Sequence, residues 1–423
     1  MIGAMRVLLI SANTERLNMV TIPLGLGVVA ASARRSGHDV KLLDLLPEAD
    51  PAAAARRAVA AHHPDVIGIS VRNIDDQVRE SPRFLLAQVK PVVDACRASS
   101  RAPVVLGGAG YSIYPDAALA YLGADFGVCG DGEVVFAALL ELLASGGDPS
   151  DLPGVHIRGR SGARGPAFSE DLCSLPMWDE ALGDAADPAS PDLWIPVQSR
   201  RGCSNDCSYC STSHIQGRRL RARDPREVAE HVAQLGHAGY RRVYFVDNSF
   251  NIPEQHAFEL CEALERLRAG VSWRCILYPH RVPAAMAASM GRAGCVEVSL
   301  GFESGSLRVL REMNKRFTPD DVREVSDMLA AHGIRRMGFL LLGGPGETHE
   351  TVEESVTFAE SLRLDALRVT VGIRIYPGTP LARRAVEDGM IAADDDLLAP
   401  RFYLAPGLDP WIHERVRSLQ RGV

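Results

Sequence analysis

The sequence predicts an α/β protein in two parts: an N-terminal doubly wound, Rossmann-like domain and a C-terminal partial (β/α)6 TIM-like barrel. Two observations carry that reading. Short β-branched runs alternate with Ala-rich helical stretches over the first 145 or so residues, and a second alternating series begins at Ile195. Between them, from Gly146 to Trp194, Gly, Pro, Ser and Asp become frequent and the periodicity fades. Strict alternation implies parallel strands, since a crossover helix must return the chain to the same edge of the sheet.

In the first series, strands are expected at Arg6–Ser11 (RVLLIS), Asp39–Asp44 (DVKLLD), Val66–Val71 (VIGISV), Pro103–Gly107 (PVVLG) and Phe126–Cys129 (FGVC). Helices fit between and after them at Gly25–Ser36, Pro51–His62, Phe84–Ser99, Pro115–Leu122 and Glu133–Ser145. Ligands of such sheets sit beyond the carboxyl ends of the strands. Here those ends are Ser11–Asn13, Ser70–Asp75 and Gly107–Tyr111. Val155–Arg158 and Arg164–Phe168 suggest a small hairpin around Gly162 inside the linker. The second series offers strands at Ile195–Gln198, Val243–Val246, Ser272–Leu277, Val296–Gly301, Arg335–Leu342 and Leu367–Ile375. Its helices fit Pro225–Leu235, Glu254–Leu267, Pro283–Ala293, Thr318–His332, Thr348–Leu362 and Leu381–Asp388. The expected division is 1–146, a linker at 147–194, the barrel at 195–390 and a short closing segment at 391–423.

The bulk numbers narrow the function. Of 423 residues, 46% are hydrophobic and 23% charged, enough apolar material for a sizeable core. Lys and Arg total 46 against 53 Asp and Glu, a net charge of −7, which argues against a broad nucleic-acid or anionic-membrane surface. Arg218, Arg219, Arg221 and Arg223 cluster, and read as a solvated or salt-bridged face. No apolar run reaches the roughly 18 residues of a membrane span. The first residues lack the layout of a signal peptide. Nine cysteines spread over so long a chain do not suggest a disulfide framework, so a reducing cytoplasm is expected.

Cys203-x-x-x-Cys207-x-x-Cys210 lies just past the first strand of the second series. The spacing puts three thiolates on one short loop, where they can wrap a single cubane. A 4Fe-4S cluster usually takes four cysteines, so three leave one iron open to a substrate or cofactor. Gly202 permits a tight turn, and Tyr209 flanks the last cysteine. The competing reading is structural zinc, for which His214 is the available fourth ligand, though no second paired motif is present. The other cysteines fit small core positions.

The three cysteines, with Tyr209 before the last, resemble the signature of the radical S-adenosylmethionine (SAM) superfamily, and the six βα units resemble its partial barrel. The resemblance covers about residues 195–390 and implies a 4Fe-4S cluster on Cys203, Cys207 and Cys210 with SAM on the open iron. It further implies SAM contacts from Tyr209, from Asp247 and Asn248 after the second strand, and from Ser299 and Glu303 at the fourth. Gly343 and Gly344, in Gly343-Gly-Pro-Gly346-Glu347, match its adenine-packing segment, and Tyr376-Pro-Gly378-Thr-Pro380 closes the sixth strand. Arg274, Tyr278, His280, Arg281 and Arg374 lie near strand ends, where contact with ligand and plain salt bridging are both open.

A doubly wound domain in front of such a barrel resembles the cobalamin-binding class of that superfamily. The resemblance puts cobalamin at Asn13, Ser70, Arg72, Asn73, Gly107, Gly108, Gly110 and Glu133, although the glycines also suit ordinary strand-to-helix turns. The Asp-x-His-x-x-Gly signature of an axial histidine is absent, and the first strand runs into Asn13-Thr-Glu-Arg-Leu-Asn18. The two resemblances together imply a radical SAM enzyme, expected to be a cobalamin-dependent methyltransferase acting on an unactivated carbon of a small-molecule substrate. It would draw electrons from an external donor of flavodoxin or ferredoxin type. The alternatives are a radical cyclisation, rearrangement or oxidation with the first domain as scaffold, and a non-catalytic cobalamin or redox sensor.

Overall fold

The computed structural model describes residues 3–16, 22–160, 165–177, 188, 190 and 192–420. The chain forms two compact units, Met1–Asp76 with Arg83–Leu193 and Ser211–Gly217, and Gln77–Pro82 with Trp194–Cys210 and Arg218–Val423.

In the first unit the order is β1 (Arg6–Ser11), α1 (Leu24–Arg35), β2 (Asp39–Asp44), α2 (Pro51–His62), β3 (Val66–Ser70), α3 (Leu86–Ser99), β4 (Val104–Gly107), α4 (Ala109–Ile113), α5 (Pro115–Leu122), β5 (Phe126–Val128), α6 (Gly132–Ser145) and β6 (Val155–Ile157). The sheet order is β2-β1-β3-β4-β5-β6, with the first five strands parallel. Chain order reverses between β1 and β3, the switch point where open α/β sheets leave a crevice at the carboxyl ends. Register puts Ser11, Ser70 and Gly107 in one row along that edge. The core is the Val/Leu face of the strands, Val7, Leu9, Val66 and Val105, against Phe136, Leu139 and Leu140 of α6.

Among the described residues, the two arms of the expected hairpin find other partners. Val155–Ile157 pairs antiparallel with β5, with Val128 opposite Val155 and Phe126 opposite Ile157, and so adds a sixth strand to the sheet. Residues 161–164 of that hairpin lie outside the described residues, while Ala167 bridges to Gly130. The stretch after α6 thus packs into the domain instead of running free.

The second unit, with the short α7 (Thr212–Gln216) of the first interposed, runs β7 (Ile195–Val197), β8 (Arg200–Arg201), α7, β9 (Arg221–Ala222), α8 (Pro225–His237), β10 (Arg242–Phe245), α9 (Glu254–Leu267), β11 (Ser272–Leu277), α10 (Ala284–Arg292), β12 (Cys295–Glu303), α11 (Leu307–Glu312), α12 (Pro319–Ala331), β13 (Arg335–Leu342), α13 (His349–Ser361), β14 (Ala366–Val371), β15 (Ile373–Arg374), α14 (Pro380–Glu387), β16 (Phe402–Tyr403) and α15 (Trp411–Gln420). Six parallel strands stand in chain order from β7 to β14. Their side chains alternate as a pleat requires. Phe245, Trp273, Cys275, Val298, Leu300, Phe302 and Leu342 are buried, and Phe245 meets Trp273 edge-on at 5.3 Å. Tyr244, Arg274, Ile276, Ser299, Gly301, Phe339 and Leu341 occupy the other face and stay partly accessible.

The sixth strand is shorter than the alternation suggests. It ends at Val371, because Gly372 turns with φ +80 and a Cβ there would lie 2.5 Å from Arg79 Cδ. Ile373–Arg374 then pairs antiparallel with Phe402–Tyr403, so the closing segment contributes a strand as well as α15.

Candidate metal centre and cofactor sites

The cysteine loop is fixed at its entrance by Asp247. Its Oδ1 accepts the backbone N–H groups of Ser199 (2.9 Å) and Arg200 (3.0 Å), and its Oδ2 accepts the Ser199 hydroxyl at 2.6 Å. Arg200, only 2% exposed, lies 3.6 Å from the same carboxylate and donates to the carbonyls of Ile252 (2.5 Å) and Phe250. The guanidinium thus ties the loop after β10 to the start of the cysteine loop. Gly202 follows with φ +93, where a Cβ would sit 2.0 Å from the Arg219 carbonyl oxygen. Only glycine fits that approach.

Beyond Gly202 the loop is gripped from two sides. Ser208 N–H donates to the Met313 carbonyl (3.1 Å), and the Ser208 carbonyl accepts Leu381 N–H at 2.9 Å. Asn314 Nδ2 donates to the Asp206 carbonyl (3.0 Å), and Arg316 pairs with the Asp206 carboxylate at 3.1 Å. Cys203, Cys207 and Cys210 are half-buried and free of disulfides. Burial pushes the Cys203 and Cys207 thiols above their ordinary value; Cys210 adds to this, while Lys315 acts against it. Among the described residues no three His, Cys, Asp or Glu side chains converge on one point, as a single zinc ion needs. Cys203, Cys207 and Cys210 share one loop, and beyond burial the charge of Cys210 raises the pKa of the other two thiols, a donor set of the kind a 4Fe-4S cluster takes.

Glu303 ends β12 with φ +62, where the register with β13 slips. Its Oε1 accepts the Tyr209 hydroxyl at 2.9 Å and Lys315 Nζ at 3.3 Å. Lys315 is not legible as a site residue in the sequence, where it sits in a polar connection between two helices. Ser299 faces the barrel interior, in register with Ile276 and Met337. Asn248 Nδ2 donates to the Gly202 carbonyl (3.3 Å). A shallow cleft borders Gly202, Cys203, Asn205, Leu220, Asn248 and Ile252.

Some expectations change here. Asp247 is fully buried with both oxygens occupied, so its side chain cannot reach a nucleoside, and its part is to seat the cysteine loop. Gly343 and Gly344 are buried and donate their N–H groups to Glu347 Oε2, the second at 2.9 Å. They offer a ligand shape and no free donor. Of the open candidates, Arg374 is buried and donates to the Ile375 (2.7 Å) and Leu397 (2.8 Å) carbonyls. Arg274 lies between the rings of Trp194 (4.3 Å) and Tyr244 (4.7 Å) and pairs with Glu297 at 3.4 Å. The Tyr278 hydroxyl accepts Arg316 N–H at 3.0 Å.

Glu347 itself carries a test. It is 4% exposed, its Oε1 is buried without a partner, and burial raises its pKa to about 7 against the two amide hydrogen bonds. A carboxyl whose folded pKa exceeds its unfolded value loses stability for the fold as pH rises between the two. Urea unfolding from pH 4.5 to 7 should show native stability falling by up to about 3 kcal/mol relative to Glu347→Gln. Parallel curves for the two proteins would remove that role.

In the first unit, Asn13, Ser70, Arg72, Asn73, Gly107 and Gly108 line the carboxyl edge and are at least partly accessible. Gly108 and Gly110 are glycine for an internal reason. A Cβ on Gly108 would lie 2.6 Å from the Val71 carbonyl oxygen, and one on Gly110 3.0 Å from that of Arg72. Both let this turn pack against the backbone after β3. Glu133 is 2% exposed, and its backbone carbonyl accepts the Ser32 hydroxyl at 2.7 Å. His38 and His62 lie at the amino ends of β2 and β3, His38 accepting Met5 N–H at 3.3 Å.

The sequence model of the radical SAM superfamily matches residues 197–359, and that of the B12 binding domain matches residues 10–140. An uncharacterized methyltransferase of Pyrococcus horikoshii is 25% identical over 92% of this chain and 84% of its own length. The tryptophan 2-C-methyltransferase of Streptomyces laurentii is 22% identical over 89% of this chain and 74% of its own. Among solved structures, the radical SAM methyltransferase TsrM of Kitasatospora setae, with cobalamin and a [4Fe-4S] cluster bound, superposes with a TM-score of 0.86. It is 22% identical and covers 100% of this chain and 91% of its own.

Proposed function

The chain belongs to the radical SAM superfamily and carries a B12-binding domain ahead of its barrel, and on that premise we propose that it methylates an unactivated carbon of a small-molecule substrate. The observation that carries the proposal is the order of the two domains in one chain, matched nearly end to end by relatives named as methyltransferases. The cytidylyl-2-hydroxyethylphosphonate enzyme of Streptomyces wedmorensis and the tryptophan enzyme of Streptomyces laurentii are both named for small organic substrates.

When bound, the cluster supplies one electron and an open iron, SAM the methyl group and the adenosyl radical, and cobalamin the methyl carrier. Cys203, Cys207 and Cys210 would hold the cluster. Asp247, through Ser199 and Arg200, sets where their loop starts. Tyr209, pinned by Glu303, closes one flank against water. Ser299, Asn248 and the backbone at Val246–Asn248 would orient SAM, with the Gly343–Gly344 turn shaping the adenine seat. Asn13, Ser70, Arg72, Asn73 and Gly107 would meet the corrin. Electrons would come from an external low-potential donor of flavodoxin or ferredoxin type.

Two measurements bear on this reading. Reduced, cobalamin-loaded enzyme given SAM labelled in its methyl group should release S-adenosylhomocysteine and leave the label in the corrin fraction. Adenosylhomocysteine that never forms, with cluster and corrin both present, sinks the methyltransferase reading. Second, residues 11–14, 70–73, 107–110 and 130–132 contain no histidine, so cobalt should lack an imidazole ligand. The Co(II) EPR spectrum should then be the same for protein labelled with 15N in its histidines as for unlabelled protein; an axial nitrogen triplet that becomes a doublet on that labelling would mean that a histidine reaches the metal.

A further inference from the structure

We propose that the buried ammonium of Lys315 sets the reduction potential of the cluster held by Cys203, Cys207 and Cys210, keeping it more positive than it would be without that charge; the inference rests on the cluster reading above. Residues 313–316 form a strap over the cysteine loop, and each member touches it differently. Met313 offers its carbonyl to Ser208, while Asn314 and Arg316 reach Asp206 at the surface. Met313 is fully buried, and Lys315 is the charged member that turns inward, its side chain 5% exposed.

A lysine that merely covered apolar surface would run its stem along that surface and keep its head in water. This one does the reverse. Its Nζ lies 5.3 Å from the Tyr209 ring centre, 5.7 Å from that of Phe317 and 5.9 Å from that of Tyr278, with Glu303 Oε1 at 3.3 Å. Tyr209 stands between Cys207 and Cys210 in the loop, so the cation stacks on the residue separating two of the ligands. Glu303 opposes the charge from the hydroxyl end of Tyr209, whose O–H it also accepts, so what the cluster feels is set by which of the two charges lies nearer the thiols. Arg218, the other cation felt by Cys203, is exposed and screened by solvent.

Reduction places one electron, from an external one-electron reductant, on a cluster already carrying thiolate charge; no bond or proton moves at Lys315. A fixed positive charge in a poorly solvated site stabilises that added electron, and the nearby Glu303 carboxylate opposes it. The two substitutions therefore act with opposite signs, which a merely structural role of the strap would not produce.

The test is an EPR-monitored redox titration of anaerobically reconstituted wild type, Lys315→Met, Lys315→Arg and Glu303→Gln, without SAM, after iron content is measured. Lys315→Met should titrate more negative, with at least a tenfold fall in the ratio of reduced to oxidised cluster at the wild-type midpoint, 59 mV for a one-electron couple. Glu303→Gln should move positive, and Lys315→Arg should stay near wild type. Equal midpoints for wild type and iron-replete Lys315→Met overturn the proposal. If Lys315→Met takes up no iron, Glu303→Gln decides by its sign, and a negative or absent shift overturns it. A wild type that holds no cluster removes the cluster reading itself, and this inference with it.

Discussion

Cys203→Ala, Cys207→Ala and Cys210→Ala should each abolish 5′-deoxyadenosine formation from SAM, while Cys261→Ala leaves it intact. Three thiolates are the fewest that hold a cubane with one iron open; the loop offers no fourth thiol, and its one carboxylate, Asp206, is paired with Arg316. Changes to residues around a metal's ligands cost about 10–100-fold. Loss of a ligand should therefore exceed about 100-fold and reach background. Cys261 is buried on α9, where burial pushes its thiol up to about 12, so it is inert packing. The assay is 5′-deoxyadenosine by chromatography after dithionite reduction, with iron measured in parallel. Retention of activity by any one of the three variants would show that its cysteine is not a ligand.

Asp247→Ala should destabilise the barrel by about 3–5 kcal/mol, the usual result of leaving a buried charge without its partner. The Arg200 guanidinium would remain 2% exposed with no carboxylate beside it. The N–H groups of Ser199 and Arg200 would also lose their acceptor. Because both residues open the cysteine loop, iron loading should fall together with stability. Arg200→Met with Asp247→Leu should be milder than Asp247→Ala alone, since removing both charges removes the desolvation cost as well. Urea midpoints at constant slope read the first effect, and iron per chain the second. A variant of wild-type stability would mean that Asp247 does something other than seat the loop.

The strands read well from sequence where burial on both faces leaves continuous Val, Ile and Leu, as in Arg6–Ser11. Local pattern fails where the partner is distant. Val155–Ile157 looks like half of a local hairpin, yet its partner is Phe126–Val128, and three residues carry no signal of that pairing. The sixth barrel strand continues past Gly372 in hydrophobicity alone, and the backbone turn there is a close-approach effect.

The cysteine loop is legible because its three cysteines lie within eight residues of chain. Asp247 and Lys315 are not, for opposite reasons. An aspartate at a strand end reads as a ligand contact, and only the fold shows its oxygens occupied by Ser199 and Arg200. A lysine between Asn314 and Arg316 reads as surface, and only the fold turns it under Tyr209. Gly108 and Gly110 suit a flat cofactor as readily as tight backbone packing, and it is the distances to Val71 and Arg72 that identify the packing.

The central claim, one chain holding a three-cysteine cluster together with cobalamin, is tested most directly by anaerobic reconstitution with iron, sulfide and hydroxocobalamin followed by gel filtration. Iron content and corrin absorbance are then read on the same protein peak. The expected result is a full 4Fe-4S complement with one corrin per chain, the iron lost and the corrin retained when the three cysteines are changed to alanine. Iron that survives that substitution, or a corrin that separates from the protein peak of the wild type, would contradict it.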